Sequence, residues 1–499
     1  MEKKNNPIII GASQYTQHKK ESHPLDPLGL MVKTSQAAIE NTQNKNVVDF
    51  IDAVYLLNIT SWSYEDAPGD LCKQLNINPK TKVILPDPMG QSPQMLVNQA
   101  AKAITDGKNR CVLITGGESL YSIKKTFKDK PPRYWPEYKD AQYKREFKVL
   151  EFDMKYGLYW ATLSYAIFET AVRASSGHTV EDHRKYMGKL FERFSRVASK
   201  SPFSWTQEFY NAEEITTPTP ENRRIVYPYT KRMCANNLVD QAGSILIASE
   251  EIAELLGINS KNWVYIMGGA DFRNVNEIYR RPRLDESPAI REGSHLALKQ
   301  AGLTLNDIDK FDLYSCFPSI VEITMNEIGI NIDDTRDLTI TGGLPYYGAP
   351  LSGYSLLAII NTFDLIRTDP SLKVMVVANG GFNTKQSIGI YGSNPPKIPW
   401  GTRNDIEIQN SILEKELPEP VEKANGKLTV NGYSIYYDRS GEPNRGIIIG
   451  TLEDGNRTVA IIKGEHKRFS SLETEELVGR TILVKYDSEE DRNIVVSLD

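Results

Sequence analysis

The sequence predicts an α/β fold made of two similar halves with a small β-barrel behind them, and three observations predict it. A βα unit occurs twice, once as Asp87 to Ser119, DPMGQSPQMLVNQAAKAITDGKNRCVLITGGES, and once as Gly348 to Phe382, GAPLSGYSLLAIINTFDLIRTDPSLKVMVVANGGF. Each copy has a glycine at the mouth of a helix, a helix rich in small and aliphatic residues, a polar turn, an apolar strand and a glycine pair, as a duplicated unit would. A second landmark precedes each copy at nearly the same distance, since Asp52 in DFIDAVYL answers Asp312 in FDLYSCF. Beyond Tyr391 the texture changes to proline and charge, and then to short alternating strands.

Taken in order, Pro7 to Ala12 reads as a buried strand, and Asp26-Pro27 opens a helix with a capping acid and a proline in its first turn. Phe50 to Ile59 is a near-continuous apolar run, which suits a parallel strand covered on both faces. Lys82 to Leu85 is the next strand, Ser92-Pro93 repeats the cap-then-proline start, and Cys111 to Thr115 closes the first unit. From about Leu120 to Asn236 the alternation is interrupted by a long insertion. Its predicted helices are Tyr156 to Ala174 and Val180 to Ser199, the latter with Met187, Leu190, Phe191 and Phe194 as a core stripe. Val239 to Ser249 and Val264 to Gly268 restore buried strands, Ser287-Pro288 starts a helix that ends at Gly302, and Phe311 to Phe317 follows. Between Lys427 and Asp499 come three strands, a partly helical segment from His466 to Leu477, and two more strands, with Asp454-Gly455 as a hairpin signal. That order is the one of an OB-type barrel.

At 499 residues the chain is too long for one core. Its formal net charge of -5 gives no general reason to expect nucleic acid or an anionic membrane as partner, and the mixed charges of the barrel segment argue against an oligonucleotide role. The four cysteines, Cys72, Cys111, Cys234 and Cys316, lack paired spacing, which makes a disulfide framework or a zinc site unexpected. The N-terminus does not read as a signal peptide, no segment reads as membrane-spanning, and a cytoplasmic location is expected. One stretch departs from the acidic average: Lys124, Lys125, Lys128, Lys130, Arg133, Lys139, Lys144, Arg145 and Lys148 form a basic loop, to be read as a phosphate receptor or as a solvated surface.

These segments resemble the thiolase superfamily. VDQAGSILIAS resembles the re-entry into the second half after the family's insertion, and GLTLNDIDKFDLYSCFPS resembles the approach to the Asn-Glu-Ala-Phe motif or its His-Asp-Cys-Phe version. GGLPYYGAP resembles the Gly-His-Pro region, and Ala378-Asn379-Gly380 stands in the place of the Cys-x-Gly motif. The resemblance covers the whole chain and is nearest to thiolase-like proteins of type 1, which carry an additional C-terminal β domain. It implies a thiolase fold of two βαβαβαββ halves with an inserted loop domain, plus a small C-terminal OB-like β-barrel. The implied division is a first half at 1–119 and 237–262, the loop domain at 120–236, a second half at 263–394, a linker at 395–423 and the β domain at 424–499.

Carried over residue by residue, the family's chemistry is largely missing. The nucleophilic cysteine belongs at a helix N-terminus, where free N–H groups favour thiolate; the matching position is Gly90, which cannot accept an acyl group. The histidine of Gly-His-Pro is Ala349, between Gly348 and Pro350, and the Cys-x-Gly cysteine is Ala378. Tyr314 and Ser315 replace the oxyanion-hole residue and the acid that follows it. None of the six histidines, His18, His23, His178, His183, His295 and His466, lies in a motif segment. Cys316 remains as the one catalytic candidate, against a plain reading as a small buried thiol, while Ser92 is explained by capping. Gly348, Asn379 and Gly380 are the expected ligand contacts, with no metal and no cofactor other than a coenzyme A thioester. The residues leave three readings open: a coenzyme A or acyl-CoA binder without thiolase chemistry, an acyltransferase working through Cys316 with Tyr314 as donor, and a scaffold subunit or dimer partner in an acyl-CoA-processing complex.

Overall fold

The computed structural model describes residues 5–85, 88–139, 150–464, 469 and 471–498. Its first sheet holds β1 (Pro7–Thr16), β2 (Ile51–Leu57), β3 (Thr81–Leu85) and β4 (Cys111–Ser119). After β5 (Arg224–Val226) and β6 (Tyr229–Thr230), which belong to a different sheet, it continues with β7 (Asp240–Ser249), β8 (Val264–Arg273), β9 (Lys310–Leu313), β10 (Val374–Gly380) and β11 (Lys385–Gly392). The nine strands run β3-β2-β4-β7-β1-β8-β11-β10-β9. The expected duplication is written in this order. Counted within each half, the five strands of the first half read third, second, fourth, fifth, first, and the four of the second read first, fourth, third, second, the mirror order once a missing third strand is allowed for. Directions match as well: β2 is parallel to β4 as β9 is to β10, while β4/β7 and β7/β1 are antiparallel like β10/β11 and β11/β8. The second half has no counterpart of β3 beyond a parallel bridge from Lys310 to Asp337. The halves join where Ile8 and Ile9 of β1 meet Tyr265 and Val264 of β8.

Two helices lie between the halves. Ser92–Thr105 packs on strands β1, β7, β8 and β11, and Tyr354–Thr368 packs on β1, β7 and β10 and against the first helix. Burial on both sides explains why β4, β7 and β10 are buried at every residue and carry apolar stretches such as Cys111 to Ile114, Ile245 to Ala248 and Val374 to Ala378. Pro27–Asn41 and Pro288–Ala301 cover the outer faces, the latter ending at Gly302 with φ +71. All three cap-then-proline starts begin helices, but none caps through its polar side chain. Asp26 accepts instead from the Tyr64 hydroxyl, Ser287 Oγ accepts from Asn274 at 2.8 Å, and Ser92 Oγ accepts from the Met89 amide at 2.8 Å. Asp26 and Ser287 are spent on tertiary contacts, which a local rule for helix starts does not see, and Ser92 on the turn just before its own helix.

The insertion supplies helices Glu151–Tyr156, Ala161–Ser175 and Val180–Ala198. The single helix expected from Tyr156 to Ala174 is broken because Gly157 takes φ +77 and ends its first turn. The C-terminal strands are β12 (Gly426–Tyr437), β13 (Pro443–Leu452), β14 (Arg457–Ile462), β15 (Thr481–Asp487) and β16 (Arg492–Ser497). They close into a five-stranded barrel, β12-β13-β14-β16-β15 and back to β12, with β14 parallel to β16. This is the expected OB-type connectivity. The helical expectation for His466 to Leu477 falls partly outside the described residues, but Phe469, Leu472 and Leu477 fill the barrel core. The barrel is not a loose appendage. Hairpin β5/β6 of the insertion pairs with β12 through Val226 and Tyr436, and Arg173 donates to Glu476 at 2.9 and 3.0 Å and to Tyr227 and Tyr433 at 2.8 and 2.9 Å. The 395–423 stretch packs on the second half through Trp400, whose indole donates to the Ile266 carbonyl at 2.9 Å, and contains a helix, Ile406–Leu413. No helix among the described residues is long and apolar enough to cross a membrane.

Candidate functional site

The mouth of helix Ser92–Thr105 is where the sequence-predicted residues converge. A β-carbon at Gly90 would overlap the Tyr314 hydroxyl and the Asn379 carbonyl oxygen. A β-carbon at Gly380 would overlap the Gln91 side-chain oxygen, which has no hydrogen-bond partner. Gly90, Tyr314, Asn379 and Gly380 thus form one tight contact, with strand ends of the second half pressed on the helix mouth of the first. Ser352 Oγ donates to the Pro88 carbonyl at 2.8 Å and Ser355 Oγ to the Gly90 carbonyl at 2.6 Å, which ties the second helix mouth to the first.

Tyr314 is buried and meets Tyr354 edge-on at 5.6 Å, and burial raises its hydroxyl well above the usual phenol range. The Asn379 amide donates to the Tyr165 hydroxyl at 2.7 Å and accepts from Gln386 at 2.8 Å, and Tyr165 donates to the Gly381 carbonyl at 3.0 Å. A buried amide and phenol network therefore fills the place where the resemblance leads one to expect the Cys-x-Gly motif, and Ala378 beside it is buried in β10.

Cys316 is buried, and burial pushes its thiol far up, against a hydrogen bond with the Tyr165 hydroxyl. Such a thiol stays protonated at neutral pH and is a poor nucleophile. Ser315 faces away, its hydroxyl accepting from the Leu344 amide at 3.2 Å beside Gly343. Gly348 has φ +116, and a β-carbon there would overlap Gln241, while the Ala349 amide donates to the Asn236 carbonyl at 3.0 Å. Gly348 and Ala349 are thus packed on the re-entry segment.

A cavity of about 150 Å³ opens next to this contact, lined by Met89, Leu158, Tyr159, Gly381, Phe382 and Lys385. It is smaller than the roughly 300 Å³ of a typical ligand pocket, so it suits a small reactive end and not a whole nucleotide-bearing thioester. Of the basic loop, Lys124, Lys125, Lys128, Lys130, Arg133 and Lys139 are exposed, Lys124 pairing with Asp129 at 2.7 Å and Lys139 with Glu65 at 3.2 Å. Lys144, Arg145 and Lys148 lie outside the described residues.

A second cluster escaped the sequence reading. Glu169, His183 and Glu322, from three helices, place one ligand atom each within 4.8 Å of one another, all buried. The available signal was an acid or histidine inside an apolar stripe: Glu169 within Ala166 to Val172, Glu322 within Ile320 to Met325, and His183 on the face of Met187, Leu190 and Phe194.

With this geometry described, comparison with known proteins places the chain. A family model described as the thiolase-like protein type 1 additional C-terminal domain matches residues 407–489. The crystal structure of a monomeric SCP2-thiolase like protein type 1 from Mycobacterium smegmatis is 31% identical, with a TM-score of 0.85 over 100% of both chains. Benzoylsuccinyl-CoA thiolase subunit BbsB of Thauera aromatica is 24% identical over 38% of this chain and 50% of its own length. Human sterol carrier protein 2 is 21% identical over 50% of this chain and 53% of its own. The chain spans about half the length of these two curated relatives.

Proposed function

Since the chain belongs to the thiolase-like proteins of type 1, within the thiolase superfamily, we propose that it binds coenzyme A or an acyl-CoA without ordinary thiolysis or condensation. The observation that carries this reading is the contact at Gly90. The residue standing at the nucleophile position has no side chain, and the phenol of Tyr314 takes up the space one would need. The partner histidine position, Ala349, supplies no base. What remains is backbone-amide chemistry near the helix mouth, which would hold a thioester carbonyl without side-chain catalysis, with the Ser92 N–H already spent on the Met89 carbonyl at 2.9 Å and none at Pro93. The adjoining cavity of about 150 Å³, with Lys385 on its wall, supports a ligand whose acyl end alone enters. In this reading the division into two halves, loop domain and β domain stands, and the barrel serves as cover for the inserted helices. A cytoplasmic location belongs to the same reading, supported by four cysteines without paired spacing.

Calorimetry with coenzyme A and with acetyl-CoA tests the binding, alongside an assay of acetoacetyl-CoA thiolysis. Binding of at least one ligand without thiolysis is expected. No heat at millimolar ligand removes the binding reading, and thiolysis at an ordinary enzyme rate removes the claim of lost chemistry. The alternative, acyl transfer through Cys316, predicts an acyl adduct that disappears in Cys316→Ala; intact-mass spectrometry after incubation with acetyl-CoA is expected to show none.

A further inference from the structure

We propose that Glu169, His183 and Glu322 form a binding site for one divalent first-row transition cation, Zn²⁺ or Mn²⁺, which clamps the inserted helices to the second half. Glu169 lies in Ala161–Ser175, His183 in Val180–Ala198 and Glu322 in Pro318–Ile328, and their side chains are 0%, 1% and 3% exposed. His183 Nε2 stands 2.6 Å from Glu169 Oε1 and 3.8 Å from Glu322 Oε2, so one imidazole nitrogen faces two carboxylates.

The surroundings fit a ligand set. Among the described residues His183 is the basic group paired with either carboxylate, and a single imidazole offsets two buried carboxylates incompletely. Glu322 Oε1 has no hydrogen-bond donor among the described residues. The outer atoms of His183 and Glu169 are, by contrast, held. His183 Nδ1 meets His178 Nδ1 at 3.3 Å, and Glu169 Oε2 accepts from the Tyr229 hydroxyl at 2.6 Å. Outer partners of this kind fix the tautomer and orientation of metal-ligating side chains. The Tyr229 oxygen is itself closely surrounded, 2.9 Å from the Ser319 hydroxyl and 3.0 Å from the Tyr165 carbonyl.

One nitrogen and two carboxylates are a borderline donor set suited to Zn²⁺ or Mn²⁺. Ligand atoms about 2.1 Å from such an ion stand roughly 3 to 3.5 Å apart, so Glu169 and His183 need only part by about 1 Å. A cavity of about 250 Å³, lined by His183, Tyr229, Thr230, Met187 and Arg184, reaches the imidazole and provides a way in.

The test uses the full chain, stripped with a chelator, dialysed, and titrated with ZnCl₂ and with MnCl₂ by calorimetry and by thermal melting. One equivalent of at least one cation is expected to bind and to raise Tm. Tyr229→Phe is expected to weaken binding about 10- to 100-fold, and Glu322→Gln and His183→Gln to abolish it. Glu192→Gln, an acid on the same helix as His183 but outside that cavity, should bind like the unaltered protein. Circular dichroism checks that the variants fold, and Tyr229→Phe with Glu322→Gln decides the matter if His183→Gln does not. Substoichiometric binding of both cations overturns the proposal in favour of two carboxyls sharing a proton. Unchanged affinity in Glu322→Gln overturns it too.

Discussion

At Gly90 a side chain is excluded by Tyr314 and Asn379 of the second half; at Gly348 it is excluded by Gln241 of the first half and also by the backbone, at φ +116. The two helix mouths of the repeat thus carry the same residue for different reasons, and each is filled from the opposite half. Only Gly348 needs glycine for its conformation. Gly90 does not adopt the left-handed region, so its lack of a side chain reports on its neighbours. The bare glycine at position 90 and the placement of the Tyr314 phenol are therefore one coupled piece of packing.

Urea unfolding of single and paired variants would break or sharpen that distinction. Gly348→Ala is expected to cost about 4 kcal/mol, combining backbone strain with overpacking of roughly 1–3 kcal/mol each. Gly90→Ala should cost about 2 kcal/mol, from overpacking alone. Adding Tyr314→Asn to Gly90→Ala should return part of that loss, with a coupling energy of about 1 kcal/mol or more. Rescue stays partial because the Asn379 carbonyl remains in the way. Additive costs in the double variant would mean that Tyr314 does not hold position 90 closed.

The repeat could be read from the sequence because everything that defines it is local: the apolar runs, the polar turns and the glycine pairs lie within about 35 residues of one another. The closure of Gly90 could not. Tyr314 reaches it from a strand end far along the chain, and no spacing rule connects the two. The same holds for Asp312, the landmark paired with Asp52. Asp52 sits at the sheet end and accepts from the Arg110 amide at 2.9 Å, whereas Asp312 is buried and accepts from Tyr354, Thr339 and Thr341. One repeated letter serves two environments. The Glu169, His183 and Glu322 cluster was hidden for a related reason, since three helices each contribute one residue.

The residues after the two glycine pairs extend the comparison to pH. Phe382 in the second copy lines the cavity, while Glu118 in the first is buried and accepts from the Thr60 amide and from the amide and hydroxyl of Ser61. Burial pushes the Glu118 carboxyl up to about 7, against those hydrogen bonds. Its folded value therefore lies above its unfolded one. Its contribution is whole below about pH 4.5 and fades as pH rises through 7, by at most about 3 kcal/mol. Denaturant midpoints between pH 5 and 8 should fall for the unaltered protein and fall less for Glu118→Gln. Equal slopes would show that Glu118 ionises in the fold without penalty.

The smallest expected difference separates the two serines at the mouths. Ser92 serves its own half, accepting from the amide of half-buried Met89 at 2.8 Å. Ser355 serves the other half, donating to the buried Gly90 carbonyl at 2.6 Å. Ser355→Ala leaves that carbonyl without its partner away from water, a cost of about 1–2 kcal/mol. Ser92→Ala frees an amide that water can reach, and about 0.5–1 kcal/mol is expected. Hydrogen exchange at the Gly90 to Ser92 amides should speed up more in Ser355→Ala than in Ser92→Ala. The opposite order would mean that the first mouth is held by its own half, and the reciprocal filling seen at Gly90 and Gly348 would then be a matter of space and not of support.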